Sequence, residues 1–231
     1  MSRDLCFTPA VELARLYRAR KVSPLEVMQA VLERLDQVNP VVNAFVTVDR
    51  EGALRQARRA TAALARRGAA VGPLHGIPVG IKDITLTKGM RTTFGSKLFE
   101  DYVPDEDAAV VERLRAAGAI VLGKTNTPEF AFGPNTVNAV FGATRNPWNL
   151  ALSAGGSSGG SAAALATGMC AIAQGTDLGG SLRGPAALCG VVGFRTTPGL
   201  IPRYPEVLAW TRIRWKGPWR ARSAIRRSCS R

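Results

Sequence analysis

Two clusters of glycine and serine hold the residues best suited to chemistry in this sequence. They are residues 155–161 (GGSSGGS) and residues 175–183 (GTDLGGSLR). A flexible linker is one interpretation, but linkers stay polar, whereas residues 162–173 between the clusters are almost wholly apolar. Glycines beside a buried apolar run let backbone N–H groups approach a ligand closely. The two clusters therefore predict a ligand or reaction site.

Known serine and phosphate motifs fit this pattern poorly. A phosphate-binding loop needs a lysine directly after its last glycine, and neither cluster has one. Residues 155–159 match G-x-S-x-G, but a nucleophile elbow also needs a preceding strand and a later histidine. The single histidine, His75, lies upstream of Ser157 and is interpreted as a structural residue of the turn at residues 73–76. A histidine triad with Ser157 in the usual order is excluded.

Lys82 is the candidate for the missing base. It ends the apolar run at residues 77–81, where burial would lower its pKa and leave a neutral amine that can accept a proton. A surface lysine that extends its amine into water from the strand end fits the same pattern equally well. The residues alone leave both interpretations open.

Three segments together resemble the amidase signature family: residues 76–83, residues 123–126 and residues 155–198. The resemblance extends over about residues 5–209. It implies that Ser181 is the nucleophile, Ser157 a bridging serine and Lys82 the base. The implied reaction is the hydrolysis of a carboxylic amide, through an acyl-enzyme on Ser181, to a carboxylate and ammonia or an amine.

The resemblance also assigns supporting roles around the nucleophile. It implies a cis peptide bond between Gly156 and Ser157. Backbone N–H groups are expected to form an oxyanion hole, in which each donor is typically worth about 3 kcal/mol. The donors are those of Leu178, Gly179, Gly180 and Ser181.

Five further side chains are expected to support the site. Asp177 and Arg183 flank the nucleophile and are expected to order its loop. Ser158 is expected to orient the relay, and Thr125 and Asn126 match a family segment near the active site.

The elements that must position these residues follow from apolar spacing and local signals. Ser23, Pro24 and Glu26 form a capping-box pattern that begins a helix, which is expected to stop near Asn39 and Pro40. A strand at residues 44–48 and a helix at residues 50–67 follow. Apolar runs then alternate with helical segments up to residue 193, at residues 77–81, 110–117, 120–122, 162–165 and 171–173. The expected fold is α/β, a truncated amidase-signature fold with a mixed central sheet covered by helices.

Charge divides the chain into two parts. Residues 211–231 contain seven arginines, one lysine and no acid, so they carry +8 of the net charge of +14 and leave +6 for residues 1–210. Three of the four tryptophans lie at or beyond residue 210. We expect residues 1–209 to be the N-terminal half of an amidase signature domain, and residues 210–231 to be an atypical basic tail, either out of frame or disordered. A genuine basic tail that binds nucleic acid or membrane is the alternative.

Composition bounds the remaining expectations. The four cysteines, Cys6, Cys170, Cys189 and Cys229, are too dispersed for a zinc site or a disulfide framework. Since no run of eighteen apolar residues and no signal core occur, the expected location is the cytoplasm. The expected partner is a small amide substrate, with no metal, organic cofactor, membrane or nucleic acid.

Three interpretations of function stay open at this stage. The first is a bacterial amidase, which could form a homodimer. The second is the glutamine-hydrolysing A subunit of a tRNA-dependent amidotransferase, which would have partner subunits. The third is an inactive fragment or a binding module with a basic tail.

Overall fold

The computed structural model of the protein describes residues 5–66, 70–197, 199–202 and 204–205. The predicted basic tail at residues 210–231 and its boundary at residue 209 lie outside the described residues, as does Cys229.

Three helices form the N-terminal layer: α1 (Ala10–Arg18), α2 (Pro24–Val42) and α3 (Arg50–Ala65). The predicted capping box begins α2, because Ser23 Oγ accepts from the Glu26 N–H at 3.2 Å and Glu26 Oε2 accepts from the Ser23 N–H at 2.8 Å. These bonds satisfy N–H groups that have no partner within the helix.

The predicted end of α2 near Asn39 and Pro40 is wrong, since the helix continues to Val42. Pro40 removes one helical hydrogen bond, yet bonds to Asn39 hold the last turn. Asn39 Oδ1 accepts from the N–H groups of Ala44 and Phe45, and the backbone carbonyl of Asn39 accepts from the Asn43 N–H. The helix ends instead at Asn43, which adopts the left-handed conformation.

A four-stranded sheet follows, built from β1 (Phe45–Val48), β2 (Pro78–Lys82), β3 (Ile120–Thr125) and β6 (Ile172–Ala173). The strand order is β1-β3-β2-β6, with β1 antiparallel to β3 and the other pairs parallel. Each strand lies within one or two residues of a predicted one, except that β3 extends three residues further. The mixed sheet confirms the predicted fold class.

Helices and short strands complete the described structure. Helix α4 (Ala109–Ala116) precedes β3, α5 (Gly159–Ala166) lies between the two glycine-serine clusters, and α6 (Arg183–Cys189) follows the second cluster. Two short strands pair separately, β4 (Val137–Asn138) with β5 (Gly142–Ala143). No helix among the described residues is long and apolar enough to span a membrane.

The sheet is buried on both faces. Successive side chains of a strand point to opposite faces, so β3 contributes Ile120 and Leu122 to the main core with the N-terminal helices, and Val121 to a second core with Val111 of α4. Every residue of β2 and β3 is buried. A lysine at the end of either strand therefore lies in an interior environment.

Candidate functional site

The structure brings Lys82 and the first glycine-serine cluster together. Lys82 is the last residue of β2, and its side chain is fully buried. Its Nζ lies 2.6 Å from Ser157 Oγ, 3.0 Å from Ser158 Oγ and 2.8 Å from Thr176 Oγ1. Three hydroxyl groups thus surround one amine, and the surface location for Lys82 is wrong.

The hydrogen-bonding pattern fits a neutral Lys82. The Ser158 hydroxyl donates its proton to the Thr176 carbonyl at 3.1 Å, so its oxygen accepts from Lys82. A neutral amine has two N–H donors and one lone pair. In that form the two N–H groups would donate to Ser158 and Thr176 and the lone pair would accept from the Ser157 hydroxyl, whereas the charged form would donate to all three oxygens.

Electrostatics point the same way. Burial lowers the pKa of Lys82 well below its ordinary value, while the negative charge of Asp177 opposes that shift. Because removal from water disfavours the charged form, the Lys82 amine is suited to accept a proton from Ser157.

Ser181 lies beside this group through its backbone. Its carbonyl accepts from the Ser158 N–H at 3.1 Å. Among the described residues, the Ser181 hydroxyl forms no hydrogen bond, and none joins it to Ser157. The structure therefore joins Lys82 to Ser157 directly and places the main chain of Ser181 next to Ser158.

Glycines are required where the two clusters approach other parts of the chain. The peptide bond between Gly156 and Ser157 is cis. A Cβ at position 156 would lie 2.8 Å from the Gly133 carbonyl oxygen and 2.9 Å from the Asn135 nitrogen. A Cβ at position 175 would lie 2.8 Å from Ser158 Oγ. The absence of side chains at these two positions lets the serine loop pack against its neighbours.

Asp177 and Arg183 form an ion pair that closes the loop around the predicted nucleophile. Arg183 Nε donates to Asp177 Oδ2 at 2.9 Å and Arg183 Nη2 to Oδ1 at 3.1 Å. Burial raises the pKa of Asp177, but hydrogen bonds from Arg183 and from the N–H groups of residues 180, 182 and 183 outweigh it and bring the pKa to about 2. Asp177 is therefore ionised at neutral pH.

The four predicted oxyanion donors differ in their partners. The Gly180 N–H already donates to Asp177 Oδ1 at 2.6 Å. Within the described part of the chain, the N–H groups of Leu178, Gly179 and Ser181 have no hydrogen-bond partner. Three donors are available without rearrangement, and Gly180 would have to leave Asp177 to become a fourth.

Thr125 and Asn126 connect β3 to its surroundings rather than contacting the Lys82 amine. Thr125 Oγ1 donates to Ser161 Oγ at 2.7 Å, since the Ser161 hydroxyl donates in turn to the Gln174 carbonyl. Asn126 Nδ2 donates to Thr144 Oγ1 at 3.1 Å. Both side chains hold the strand against the elements beside the site.

Sequence reasoning missed Thr176 and Gln174. Thr176 lies inside the second glycine-serine cluster, but nothing in the pattern distinguishes its hydroxyl as a partner of Lys82. Gln174 Oε1 accepts from the backbone N–H of Lys82 at 3.2 Å. Its place between an apolar strand and a glycine is the signal that could have drawn attention to it, because a polar side chain there needs a partner.

Other polar candidates lie apart from this group. The His75 ring donates from Nε2 to the Ala60 carbonyl at 3.0 Å and so ties its turn to α3. Cys6, Cys170 and Cys189 are buried free thiols. Among the described residues, no cluster of histidine, cysteine or acidic side chains is arranged to hold a metal ion.

Comparison with known proteins gives one consistent family. The sequence matches the Amidase family over residues 26–223. It is 50% identical over 216 residues to the A subunit of the glutamyl-tRNA(Gln) amidotransferase of Acidothermus cellulolyticus, covering 94% of this chain and 43% of that protein. The corresponding protein of Roseiflexus castenholzii is 51% identical over 217 residues, with 91% and 44% covered.

Solved structures agree. A bacterial aryl acylamidase of the amidase signature family superposes with a TM-score of 0.84 at 33% identity, covering 88% of this chain and 42% of that chain. A 6-aminohexanoate cyclic dimer hydrolase in complex with its substrate gives a TM-score of 0.80 at 40% identity, with 87% and 40% covered. The chain thus spans somewhat less than half the length of these relatives.

Proposed function

The chain belongs to the amidase signature family, and we propose that its site hydrolyses carboxylic amides to a carboxylate and ammonia or an amine by a Ser-Ser-Lys relay. The observation that carries this proposal is the contact of 2.6 Å between Lys82 Nζ and Ser157 Oγ in a fully buried setting. A buried amine with a lowered pKa, in direct contact with a hydroxyl, is the arrangement that a proton relay needs.

In the first half of the reaction, Lys82 accepts the proton of Ser157 while Ser157 accepts the proton of Ser181. The Ser181 oxygen then forms a bond to the amide carbon, and the carbonyl oxygen becomes negatively charged. When the carbon–nitrogen bond breaks, the proton held by Lys82 returns through Ser157 to the leaving nitrogen. Ammonia or an amine departs, and the acyl group stays on Ser181.

In the second half, water takes the place of the amine. It gives one proton to the relay and attacks the acyl carbon, and the bond to Ser181 breaks as Ser181 regains that proton. The product leaves as a carboxylic acid, which loses its remaining proton to the solvent and becomes the carboxylate. The free N–H groups of Leu178, Gly179 and Ser181 would stabilise the oxyanion in both halves.

The relay requires a hydrogen bond between Ser181 and Ser157, which the described residues do not form. Catalytic hydrogen bonds often tighten only when substrate is bound. The proposal requires the Ser181 hydroxyl to reach Ser157 in the substrate complex; the two loops are already joined by the hydrogen bond from the Ser158 N–H to the Ser181 carbonyl.

Glutamine is the substrate in a second candidate function, which the similarity to amidotransferase A subunits favours. In that case the same relay would release ammonia from the glutamine side-chain amide, and partner subunits would use it. Ammonia release from glutamine and from simple aliphatic amides, measured side by side, distinguishes the two substrates. Release from glutamine alone would favour the second candidate.

A fluorophosphonate probe tests the shared chemistry. It phosphonylates an activated serine with loss of fluoride, and intact-mass spectrometry with peptide mapping identifies the residue. We expect one label on Ser181, no label in Ser181→Ala, and normal labelling in Ser228→Ala, a control outside the described residues. A wild-type chain that takes up no probe, or takes it up at another serine, would overturn the proposed function.

A further inference from the structure

A second buried lysine lies on the other face of the sheet. Lys124 is fully buried in β3 and pairs with Ile81, while its neighbour Thr125 pairs with Lys82. Paired residues of parallel strands share a face and neighbours alternate, so Lys124 extends from the face of Ile81, opposite to that of Lys82. The register shift between Val79 and Gly80 interrupts the alternation that begins at Ile120. The proposed relay makes no use of it.

The three partners of Lys124 match the three N–H donors of its ammonium form. Its Nζ donates to the Thr85 carbonyl, and lies 2.9 Å from both Thr87 Oγ1 and Thr92 Oγ1. The Thr87 hydroxyl donates to the Thr85 carbonyl and the Thr92 hydroxyl to the Met90 carbonyl, so both oxygens can only accept from Lys124. Three acceptors need three N–H donors, which only the charged form has.

This ammonium fixes the turn that directly follows Lys82. Its three acceptors come from residues 85–92, so one side chain holds the turn at three points. Burial lowers the pKa of Lys124 to about 7, and the charges of Asp83 and Asp107 oppose that shift.

Hydrogen bonds continue from this turn to the catalytic lysine. The Thr85 hydroxyl donates to Gln174 Oε1 at 3.1 Å, and the same oxygen accepts from the Lys82 N–H at 3.2 Å. Gln174 Nε2 donates to the Gly175 carbonyl at 2.9 Å. Gln174 therefore binds the backbone of Lys82 and the residue next to Thr176, whose hydroxyl contacts the Lys82 amine.

We propose that Gln174 is a positioning residue for the relay, held in place by the Thr85 hydroxyl on a turn that Lys124 fixes. Lys124 fixes Thr85, Thr85 fixes the amide of Gln174, and Gln174 holds Lys82 at the correct distance from Thr176. This role rests on the proposed function, because a position of Lys82 matters to activity only if Lys82 is the base. Gln174 touches none of the reacting atoms.

Thr85 offers the cleanest test, because Lys124→Met would leave buried hydroxyl and carbonyl oxygens without a donor. Thr85→Val keeps the shape of the side chain and removes only the hydroxyl that binds Gln174, and Thr85→Ser restores that hydroxyl. Gln174→Met removes the same link from the other side. The full-length chain is used throughout.

The first readout is the rate of Ser181 phosphonylation by the fluorophosphonate between pH 5 and pH 10. Loss of one hydrogen bond predicts a rate about tenfold lower at pH 7 in Thr85→Val and Gln174→Met. A less constrained Lys82 is also more hydrated, so the midpoint of the pH profile should move to higher pH. Thr85→Ser should react like the wild type. A merely structural defect would lower the amount of reactive protein without moving the midpoint.

The second readout is hydrogen exchange of the Lys82 amide, measured by NMR, which needs no activity. Faster exchange in Thr85→Val and Gln174→Met, restored in Thr85→Ser, is expected. Wild-type exchange and a wild-type pH midpoint in both variants would overturn the positioning role. If the wild-type chain is not labelled at Ser181, the proposed function fails while the exchange measurement still decides whether Gln174 fixes Lys82.

Discussion

The hydrogen-bond partners of the two buried lysines, Lys82 and Lys124, favour different protonation states. Lys82 faces hydroxyl groups, one of which is free to donate, whereas Lys124 faces three acceptors. Burial lowers the pKa of both. The contact with Ser157 suits Lys82 to accept a proton, whereas the three acceptors around Lys124 favour its charged form against the effect of burial, so the same residue type meets different partners on opposite faces of one sheet.

The lowered pKa of Lys82 predicts the pH dependence of acylation. A base must be neutral to act, so the rate should rise with pH through the pKa of Lys82 in the folded protein. It should reach its plateau well below pH 10.5, the ordinary value for lysine. Lys82→Met should lower the rate by about 10²- to 10⁴-fold, the range for loss of a general base.

The rates at which the fluorophosphonate labels wild type and Lys82→Met from pH 5 to pH 10 check this prediction. Lys88→Met, a variant at a lysine outside the relay, is the control and should keep the wild-type profile. A wild-type rate that still rises with the midpoint of an ordinary lysine, or a Lys82→Met rate equal to that of wild type, would contradict the assignment of the base.

At the scale of elements, the close approach of two loops depends on a missing side chain. An alanine Cβ at position 175 would lie 2.6 Å from Leu182 Cδ2 and 2.8 Å from Ser158 Oγ. Gly175→Ala should therefore push the serine loop away from Lys82. We expect it to destabilise the protein by about 1–3 kcal/mol, the usual cost of overpacking, and to slow acylation.

Gly179→Ala is the matched control for stability alone, because a Cβ at position 179 meets no atom within 4 Å, whereas its N–H belongs to the proposed oxyanion hole. Urea unfolding gives the free energies of unfolding, and the fluorophosphonate rate reports the site. Equal stability in the two variants would show that the contact between the two glycine-serine clusters is looser than the structure has it.

Local signals explain which elements the sequence predicts. The capping box at Ser23 and the apolar spacing that follows it are contained in a few adjacent residues, so the start of α2 is predictable and its core face follows. The end of α2 is not, because it depends on the Asn39 side chain folding back onto Ala44 and Phe45. A proline alone indicates a helix end that these bonds override.

The candidate site depends on contacts that no local pattern contains. Lys82 meets Ser157 and Thr176 only because β2 lies between β3 and β6 in the sheet. Spacing alone leaves Lys82 undecided between a surface and a buried residue, and the roles of Ser157 and Ser181 follow only from the family resemblance. Thr176 and Gln174 are not predictable, because a threonine or glutamine becomes part of a site only through such distant partners.

At the scale of the whole molecule, a buried lysine makes stability depend on pH. Lys82 has a folded-state pKa well below its unfolded value of about 10.5, so between those two values the unfolded chain binds more protons than the folded one. The free energy of unfolding must then rise with pH across that window. One such group contributes at most about 1.4 kcal/mol per pH unit.

Urea unfolding at pH 7, 8 and 9 in wild type and Lys82→Met isolates this contribution, since every other titrating group is common to both chains. The wild-type free energy of unfolding should rise more steeply with pH than that of Lys82→Met, because methionine fills a similar volume and cannot bind a proton. Equal slopes would mean that Lys82 keeps an ordinary pKa in the folded protein. Lys82 would then be protonated at neutral pH and could not accept a proton from Ser157, so the proposed relay would have no base.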